Sequence, residues 1–356
     1  MAATGSVRPV IAERATSSTI SSASSRVSSG RNPYSTMGVY LTPGSMKRAD
    51  FYDQTLQSLV EAGASSVIFD VKGSYVYFAT NAPLPNEISL VLPSYDLPAV
   101  IQKAHDKGLY VIGRFIALKD PLFAERRPEV QIRHPVSGVS VGSLWVDGSA
   151  PLVHEYNRQV LVKLIQSEID EVNFDYIRFP TEYPPQAIGI LGREKADKVE
   201  SFLLMARRTI DEVNPNVKLG ISTYAILGWN YPINVEALGQ DFVRFAPLVD
   251  VISPMAYPNS FAQNAYYRPG KDPRSRMYFL VWRTLDGYAK LLGPEHAWKL
   301  RPWIQGYGAT AKDMREQIDA VYDAGMCGFL VWNAANAYGV SYEAISGLPE
   351  PPERCR

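Results

Sequence analysis

The sequence is poor in the residues that build metal sites and disulfide frameworks. Its 356 residues include 2 cysteines, Cys327 and Cys355, and 4 histidines that do not cluster along the chain. Two cysteines make neither a disulfide framework nor a cysteine-based zinc site, and Cys327 lies in an apolar run that predicts a buried core residue. We therefore expect no metal ion and no other cofactor.

The sequence also lacks an excess of charge of either sign and any long apolar run. Lys and Arg together number 36, as do Asp and Glu, so the formal net charge is zero. A nucleic-acid partner usually requires a basic surplus, and a membrane span requires about 18 consecutive apolar residues. We expect neither a nucleic-acid partner nor a membrane span. The composition leaves the oligomeric state open.

Residues 1–35 have a different composition from the rest of the chain. They are rich in Ser, Thr, Ala and Arg and lack the apolar core of a signal peptide. This composition predicts a flexible leader. Either the protein is cytoplasmic, or an export signal is absent from this form of the chain. Residues 349–356 read as a C-terminal tail.

Between these ends, β-rich apolar runs alternate with amphipathic stretches. The predicted strands are 37–41, 66–72, 110–115, 171–178, 218–222, 249–255, 302–305 and 328–333, and the predicted helices are 50–62, 97–107, 153–169, 195–213, 238–245, 276–292 and 312–324. This alternation predicts parallel strands joined by crossover helices. Eight such units predict a (β/α)8 barrel, of the TIM-barrel class, over residues 36–348. A doubly wound open sheet is the alternative, but no Gly-rich phosphate loop follows the first strand.

Polar and aromatic side chains gather where the predicted strands end. In a barrel enzyme these ends form the active face. Sugars are bound there by amides, charged groups and the faces of Trp and Tyr, and cleavage of a glycosidic bond requires two carboxyl groups. The candidate catalytic residues are Asp70, Asp175 and Glu182, and the candidate substrate-binding residues are Lys72, Arg114, Arg178, Tyr257, Trp303, Gln305, Trp332 and Asn333.

The three acids are candidates for different reasons. Asp175 ends the fourth strand and is the central candidate, as a nucleophile or as a group that stabilises an oxocarbenium-like transition state. Glu182 follows in a proline-bounded loop, from which it could act as the general acid. Asp70 and Lys72 are two residues apart on one strand, so their side chains are expected to share a face of the sheet. Structural ion pairs, for example of Asp175 with Arg114 or Arg178, are the alternative reading of these charges.

Several segments, in order, resemble a known family. They are 70–72 (DVK), 119–121 (KDP), 124–128 (AERRP), 145–147 (WVD), 174–180 (FDYIRFP), 252–258 (ISPMAYP), 301–305 (RPWIQ) and 332–334 (WNA). The sequence resembles the TIM-barrel family of glycoside hydrolases long catalogued as a domain of unknown function, which is distantly akin to the alpha-amylase barrels. The resemblance covers about residues 37–338 and implies a barrel and a carbohydrate substrate.

The sequence departs from the family pattern after three strands. After the second strand the family usually continues with acidic residues, where this chain has Gly73 and Ser74. The family tends to have an Asp shortly after the fifth strand, where this chain has Thr223 and Tyr224, and often an Asp after the seventh, where this chain has Gly306. The second catalytic acid is therefore left open. The main hypothesis is a glycoside hydrolase acting on a poly- or oligosaccharide. The alternatives are a carbohydrate-binding barrel without catalysis and a barrel hydrolase or lyase that uses a metal or Lys72.

Overall fold

The computed structural model of the protein describes Met1 and residues 32–142, 144–349 and 353–355. Most of the predicted leader, residues 2–31, therefore lies outside the described residues, as do residues 350–352 and 356 of the predicted tail. The end of the leader is structured, because Pro33–Ser35 forms a 3-10 turn that Asn32 caps. No helix in the described part of the chain has the length and apolar character needed to cross a membrane.

The described residues contain eight parallel strands that close into a barrel. The strands are β1 (Met37–Leu41), β2 (Ser66–Lys72), β3 (Tyr110–Ile116), β4 (Glu171–Asp175), β5 (Lys218–Tyr224), β6 (Val251–Ala256), β7 (Trp303–Gln305) and β8 (Phe329–Trp332). Each strand pairs with the next along the chain, and β8 pairs with β1. The prediction of a (β/α)8 barrel is confirmed, and the open-sheet alternative is wrong.

Helices connect the strands and surround the barrel. They are α1 (Pro43–Met46), α2 (Ala49–Glu61), α3 (Pro83–Glu87), α4 (Leu97–Asp106), α5 (Pro121–Arg126), α6 (Pro151–Ile165), α7 (Pro185–Ile188), α8 (Gly192–Val213), α9 (Pro232–Leu238), α10 (Phe242–Phe245), α11 (Arg276–Leu292), α12 (Ala311–Asp323) and α13 (Gly339–Ser346). The helix predicted at 238–245 is wrong. Gly239 adopts a left-handed conformation with φ 63° that ends α9, and Asp241 then caps α10.

The core has two parts. One lies inside the barrel and consists of Tyr40, Ile68, Tyr110, Ile112, Trp303 and Leu330. The other, much larger, fills the layer between the strands and the helices. Every residue of β2 and β3 is buried, as expected for strands with the barrel interior on one face and helices on the other.

The lower end of the barrel, where the strands begin, is closed by a buried ion pair. Glu171 and Arg301 are both fully buried, and Arg301 Nη2 lies 2.6 Å from Glu171 Oε1. Arg301 also donates hydrogen bonds to Pro33 O and Thr36 Oγ1. These bonds tie the chain that enters β1 to the lower end of the barrel. The upper end, where the strands finish, is the end at which barrel enzymes carry their active sites.

The two cysteines form a disulfide, which corrects the expectation for Cys327. Cys327 precedes β8 and is partly exposed, whereas Cys355 lies in a 3-10 turn at Glu353–Cys355. The disulfide joins residues 28 positions apart. The apolar residues that flank Cys327 in sequence predicted a buried side chain. The prediction is wrong because Cys327 contacts the turn of the C-terminal tail and not the core.

Candidate active site at the upper end of the barrel

Three charged side chains from neighbouring strands meet at the upper end of the barrel. Asp70 on β2 pairs in register with Arg114 on β3, and Asp175 ends β4 beside Ile116. Arg114 Nη1 donates to Asp70 Oδ1 at 2.6 Å, while Nη2 and Nε both donate to Asp175 Oδ2, at 2.6 and 3.0 Å. One guanidinium therefore holds two carboxylates, each with 11% of its side chain exposed.

Two aromatic rings cover this charged group from the side of β1 and β8. The Tyr40 and Trp332 rings stack with centroids 4.1 Å apart, and the Arg114 guanidinium carbon lies 4.9 Å from the Trp332 centroid. The Tyr40 hydroxyl donates a 2.7 Å hydrogen bond to Asp70 Oδ2. Both oxygens of Asp70 thus have a donor, and the aromatic cover strengthens these contacts by excluding water.

The chain turns sharply after Asp175 and so fixes its carboxylate. Tyr176 adopts a left-handed conformation with φ 52°, which is uncommon for a bulky residue, and its N–H donates to Asp175 Oδ1 at 2.6 Å. The predicted strand 171–178 therefore ends at Asp175. A non-glycine residue held in this region costs about 1–3 kcal/mol and is often found at functional sites.

Burial and charge shift the pKa values of the group in definite directions. Burial raises the pKa of Asp70 above its usual 3.8, although the positive charge of Arg114 and the hydrogen bond from Tyr40 oppose this rise. Burial lowers the pKa of Arg114, but the charges of Asp70 and Asp175 outweigh it and raise that pKa well above its usual value. Arg114 therefore remains a cation, while Asp70 retains its proton to a higher pH than an exposed Asp does.

A cavity of about 170 Å³ opens above the charged group. Its lining combines charged and aromatic side chains: Arg114, Asp175, Tyr176, Arg178, Tyr224, Met255, Tyr257, Trp303 and Trp332. A second cleft, of about 560 Å³, shares Tyr224, Met255 and Tyr257 with this cavity and continues over Ala225, Ile226, Ser260, Phe261, Ala262 and Tyr266. We call the second space the aromatic cleft. The two spaces are therefore adjacent, with these three shared residues lining both.

Comparison with known proteins assigns the family. Residues 38–338 match the model of a family described as "putative glycosyl hydrolase domain". The chain belongs to this family. The expected resemblance is thereby confirmed, and membership in a glycosyl hydrolase family supports a carbohydrate-cleaving enzyme. None of the curated proteins compared with the chain matches it.

Solved structures similar to this glycosyl hydrolase domain share its barrel. A beta-galactosidase from Marinomonas ef1 has 12% identity and a TM-score of 0.58, with 84% of this chain and 54% of that chain covered. An endo-beta-1,4-mannanase from Thermotoga petrophila has 14% identity and a TM-score of 0.56, with coverage of 86% and 69%. The spore cortex-lytic enzyme SleL of Bacillus megaterium has 8% identity and a TM-score of 0.53, with coverage of 88% and 74%. The domain spans about half the length of the beta-galactosidase. At these identities the likeness shows the fold alone.

Not every predicted site residue of the domain lies at the cavity. Asp175, Arg114, Arg178, Tyr257, Trp303 and Trp332 line it, and Asp70 lies directly behind Arg114. The indole N–H of Trp303 donates to Ser222 Oγ, whose hydroxyl donates to Asn173 Oδ1, so Trp303 is fixed from the barrel interior.

Lys72 lies on the other side of the sheet, which corrects the expectation that it shares a face with Asp70. The register of β2 against β3 shifts between these two residues, and such a bulge reverses the alternation of side chains. Lys72 is fully buried, its Nζ lies 2.7 Å from Asp120 Oδ2, and it also donates to Ile116 O. Its ammonium faces the Tyr156 ring in the layer between strands and helices. No substrate contact is available to Lys72 in this arrangement.

Glu182, Gln305 and Asn333 are engaged elsewhere. Glu182 is exposed and pairs with Lys119 at 3.0 Å, outside the cavity lining. The amide of Gln305 accepts from Asn259 N and donates to Tyr307 O, so it holds the loop after β6. The amide of Asn333 bonds to the backbone of Gly306, Ala335 and Ala337. The last two amides organise the loops around the cavity rather than line it.

Sequence reasoning missed four residues at the site. Tyr40 bonds to Asp70, and Tyr176, Tyr224 and Met255 line the cavity. Each lies at or just before the end of a strand or directly after one, so strand-end position was the available signal. Tyr40 gives no such signal by composition, because β1 is otherwise an apolar strand.

Asp147 lies close before α6 but does not cap it. Ala150 is the N-cap of α6 and makes no side-chain cap bond. Asp147 instead accepts from Ser149 and pairs with Lys198 on α8 at 2.9 Å. Among the described residues, no group of three or more His, Cys, Asp or Glu side chains is close enough to hold a metal ion.

Proposed function

We propose that this domain hydrolyses glycosidic bonds in a poly- or oligosaccharide and that Asp175 and Asp70 are its catalytic carboxyl groups. The observation that carries the proposal is the sharing of Arg114 by these two carboxylates beside an aromatic cavity at the upper end of the barrel. Glycoside hydrolysis requires one carboxyl group that donates a proton and one that acts as nucleophile or base.

The environments of the two carboxyl groups favour different roles. Burial raises the pKa of Asp70, which favours a protonated group that donates to the leaving oxygen. Asp175 accepts N–H bonds from Tyr176 and twice from Arg114, and these donors fix its carboxyl group in the lining of the cavity. Asp175 is thus suited to attack the anomeric carbon or to stabilise positive charge that develops there.

The aromatic lining supports a sugar as the bound molecule. Tyr257 and Trp332 are partly exposed and line a cavity that the charged side chains of Arg114, Asp175 and Arg178 also line. The apolar faces of sugar rings pack on such side chains, while hydroxyl groups bond to the charged residues. The adjacent aromatic cleft supports a substrate longer than the unit in the cavity, since the two spaces share three lining residues.

A second candidate function is carbohydrate binding without cleavage. One observation favours it: of the side chains that line the cavity in the described structure, Asp175 is the single carboxylate, because Asp70 lies behind Arg114. If Asp70 does not reach the glycosidic oxygen, it cannot donate a proton to that oxygen. The barrel would then bind carbohydrate without cleaving it. The two functions predict different effects of neutralising the acids.

The test is hydrolysis of a broad panel of polysaccharides by the wild type, Asp70→Asn, Asp175→Asn and Glu182→Gln, with products read by chromatography. Loss of a catalytic acid or nucleophile lowers the rate by roughly a hundredfold to ten-thousandfold. We expect that loss for the first two variants and near wild-type rates for Glu182→Gln, which removes an exposed carboxylate paired with Lys119. Circular dichroism and thermal unfolding check that each variant is folded.

The outcomes separate the assignments. Loss of rate in Glu182→Gln with activity retained in Asp70→Asn would transfer the role of proton donor to Glu182. Equal rates in all four proteins would remove both carboxylates from the mechanism. If no polymer is cleaved but the wild type and Asp175→Asn bind the same one, the binding barrel replaces the hydrolase.

A further inference from the structure

Arg178 is a buried cation at the cavity whose charge no protein carboxylate balances in the described structure. It is 4% exposed and lines the cavity with Asp175. The other two buried arginines of the described residues each have carboxylate partners: Arg114 pairs with Asp70 and Asp175, and Arg301 pairs with Glu171. Arg178 forms no salt bridge with any described Asp or Glu. A buried charge without a partner is costly, so a partner from outside the chain is the natural complement.

The Arg178 side chain is held in place without using most of its donors. Its guanidinium carbon lies 4.7 Å from the Trp145 ring centroid, 5.4 Å from that of Tyr176 and 4.6 Å from that of Tyr224. Such contacts use the charge and the planar face of the guanidinium but none of its five N–H groups. Nη1 donates to the backbone oxygen of Phe179.

The remaining N–H groups of Arg178 face open space. None of its nitrogens is among the buried polar atoms that lack a partner. Nε and Nη2 have no hydrogen-bond partner in the described structure and are not fully buried, and the Arg178 side chain lines the cavity. A rigid fork of N–H donors of this kind fits the oxygens of a carboxylate or a sulfate.

The other charged residues at the site are already paired with one another. The carboxylates of Asp70 and Asp175 both lie within ion-pair distance of Arg114, and neither lies within that distance of Arg178. Lys119, whose ammonium faces the Tyr176 ring, is paired with Glu182. Arg178 therefore has no ion-pair partner among the described residues.

We propose that the sugar unit bound in the cavity carries an anionic group, the carboxylate of a uronic acid or a sulfate ester, and that Arg178 binds this group. The proposal rests on the proposed function, because it concerns the same cavity. It narrows the substrate from carbohydrate in general to acidic polysaccharide. The aromatic cleft then holds a neighbouring unit without charge recognition, since its described lining carries no charged side chain.

The experiment compares matched acidic and neutral polymers. Polygalacturonate, alginate, hyaluronan and chondroitin sulfate are each tested beside their carboxyl-reduced forms, and chondroitin sulfate also beside its desulfated form. Binding is measured by affinity electrophoresis and cleavage by product chromatography. The proteins are the full-length wild type, Arg178→Gln, Arg178→Lys and Arg158→Gln. Arg158 is exposed on α6 and pairs with Glu155, so this variant controls for general attraction between the protein and polyanions.

We expect removal of the anionic group to weaken binding by about tenfold to a hundredfold, as loss of a charge-assisted pair does. Loss under carboxyl reduction identifies a carboxylate, and loss under desulfation identifies a sulfate ester. Arg178→Gln should abolish this preference, Arg178→Lys should retain part of it, and Arg158→Gln should retain all of it. Thermal unfolding shows whether each variant is folded. If Arg178→Gln does not fold, the preference for acidic polymers is compared between the wild type and Arg178→Lys.

Equal binding of acidic and neutral polymers by the wild type would overturn the proposal, as would an unchanged preference in folded Arg178→Gln. Cleavage of neutral polymers alone would overturn it and leave the hydrolase intact. Binding of an acidic polymer that depends on Arg178, without any cleavage, would support it while the hydrolase fails. Absence of both binding and cleavage would overturn both.

Discussion

The Tyr40 hydroxyl donates a 2.7 Å hydrogen bond to Asp70 Oδ2, although the two residues lie on different strands and 30 positions apart in sequence. This bond favours the ionised form of Asp70 and so opposes the rise of pKa that burial causes. Tyr40 therefore helps set the pH at which Asp70 loses its proton. If Asp70 is the proton donor, that pH limits activity on the alkaline side.

We predict that Tyr40→Phe shifts the alkaline limb of the pH profile of kcat/KM upward by roughly half a unit to one unit, the effect of one hydrogen bond. The matched control is Tyr95→Phe. The Tyr95 hydroxyl donates to the backbone oxygen of Asp70 at 2.6 Å and not to its carboxylate. A limb that stays fixed in Tyr40→Phe, or moves equally in both variants, would contradict this role of Tyr40.

The raised pKa of Asp70 also predicts how stability depends on pH. The folded protein holds this proton more tightly than the unfolded chain, so its contribution to stability is full below the usual pKa of 3.8 and is lost as pH rises through the folded-state pKa. Asp70→Asn cannot ionise and escapes this loss. The free energy of unfolding of Asp70→Asn relative to wild type should therefore grow as the pH rises from about 4 through neutrality.

Urea unfolding across that range measures the difference. The exposed Asp50→Asn serves as the control and should follow the wild type. If the difference between Asp70→Asn and wild type stays constant with pH, the proton on Asp70 is not held more tightly by the fold. Asp70→Asn also loses the ion pair with Arg114, which lowers the free energy of unfolding. This loss does not vary with pH in the way described above, because Arg114 remains charged throughout.

The aromatic cleft predicts dependence on substrate length. Tyr266 lines the cleft and contacts the Trp229 and Phe261 rings. Tyr266→Ala should raise KM several-fold for oligosaccharides long enough to reach the cleft, the effect of about 1 kcal/mol of ring contact. Short substrates that fill the cavity alone should be unaffected.

Kinetics on a length series of oligosaccharides tests this prediction. Tyr267→Ala is the matched control, because the Tyr267 hydroxyl donates to Arg274 O and Tyr267 is not part of the cleft lining. An equal rise of KM for short and long substrates in Tyr266→Ala would mean that the cleft supports the cavity structurally and does not bind a further sugar unit.

The Cys327–Cys355 disulfide predicts both stability and compartment. It closes a loop that spans 28 positions and contains β8, and a loop of this length stabilises by about 3–4 kcal/mol in the chain-entropy model. Cys355→Ser should lower Tm by roughly 5 °C. We also propose that the protein resides in an oxidising compartment, since disulfides persist there and are rare elsewhere.

Thiol titration of denatured protein isolated from its native source tests the compartment. Two free thiols per chain would contradict an oxidising location, and no free thiol would support it. Equal Tm values for the wild type under oxidising and reducing conditions would show that the bond contributes nothing to stability.

The fold could be predicted well because its signals are local and repeated. Strand β2 and helix α11 have the predicted bounds, since continuous apolar runs and a clear helical period mark them. The bounds failed where one residue adopts an unusual backbone conformation. Tyr176, with φ 52°, ends β4 three residues early, and Gly239 ends α9 at the second residue of the helix predicted over 238–245. Local composition does not reveal such turns.

The site could be predicted in part, because strand ends identify the face but not the direction of each side chain. The alternation rule placed Asp70 correctly toward the mouth but failed for Lys72, since it assumes a strand without a bulge. Gln305 and Asn333 have the chemistry of sugar ligands, yet loop backbone groups take their amides. Whether such an amide binds a substrate or the backbone of a loop depends on how the loops fold, and the local sequence does not reveal this.

The pairing of β8 with β1 places Tyr40, near the beginning of the barrel, against Trp332, near its end. During synthesis on the ribosome, Asp70, Arg114 and Asp175 are all made long before Trp332. The Trp332 part of the aromatic cover over their ion pairs is therefore missing until β8 has been made. A chain that ends before β8 would contain the three charged residues but not the Trp332 ring that covers them. The complete site therefore forms only when all eight strands are present.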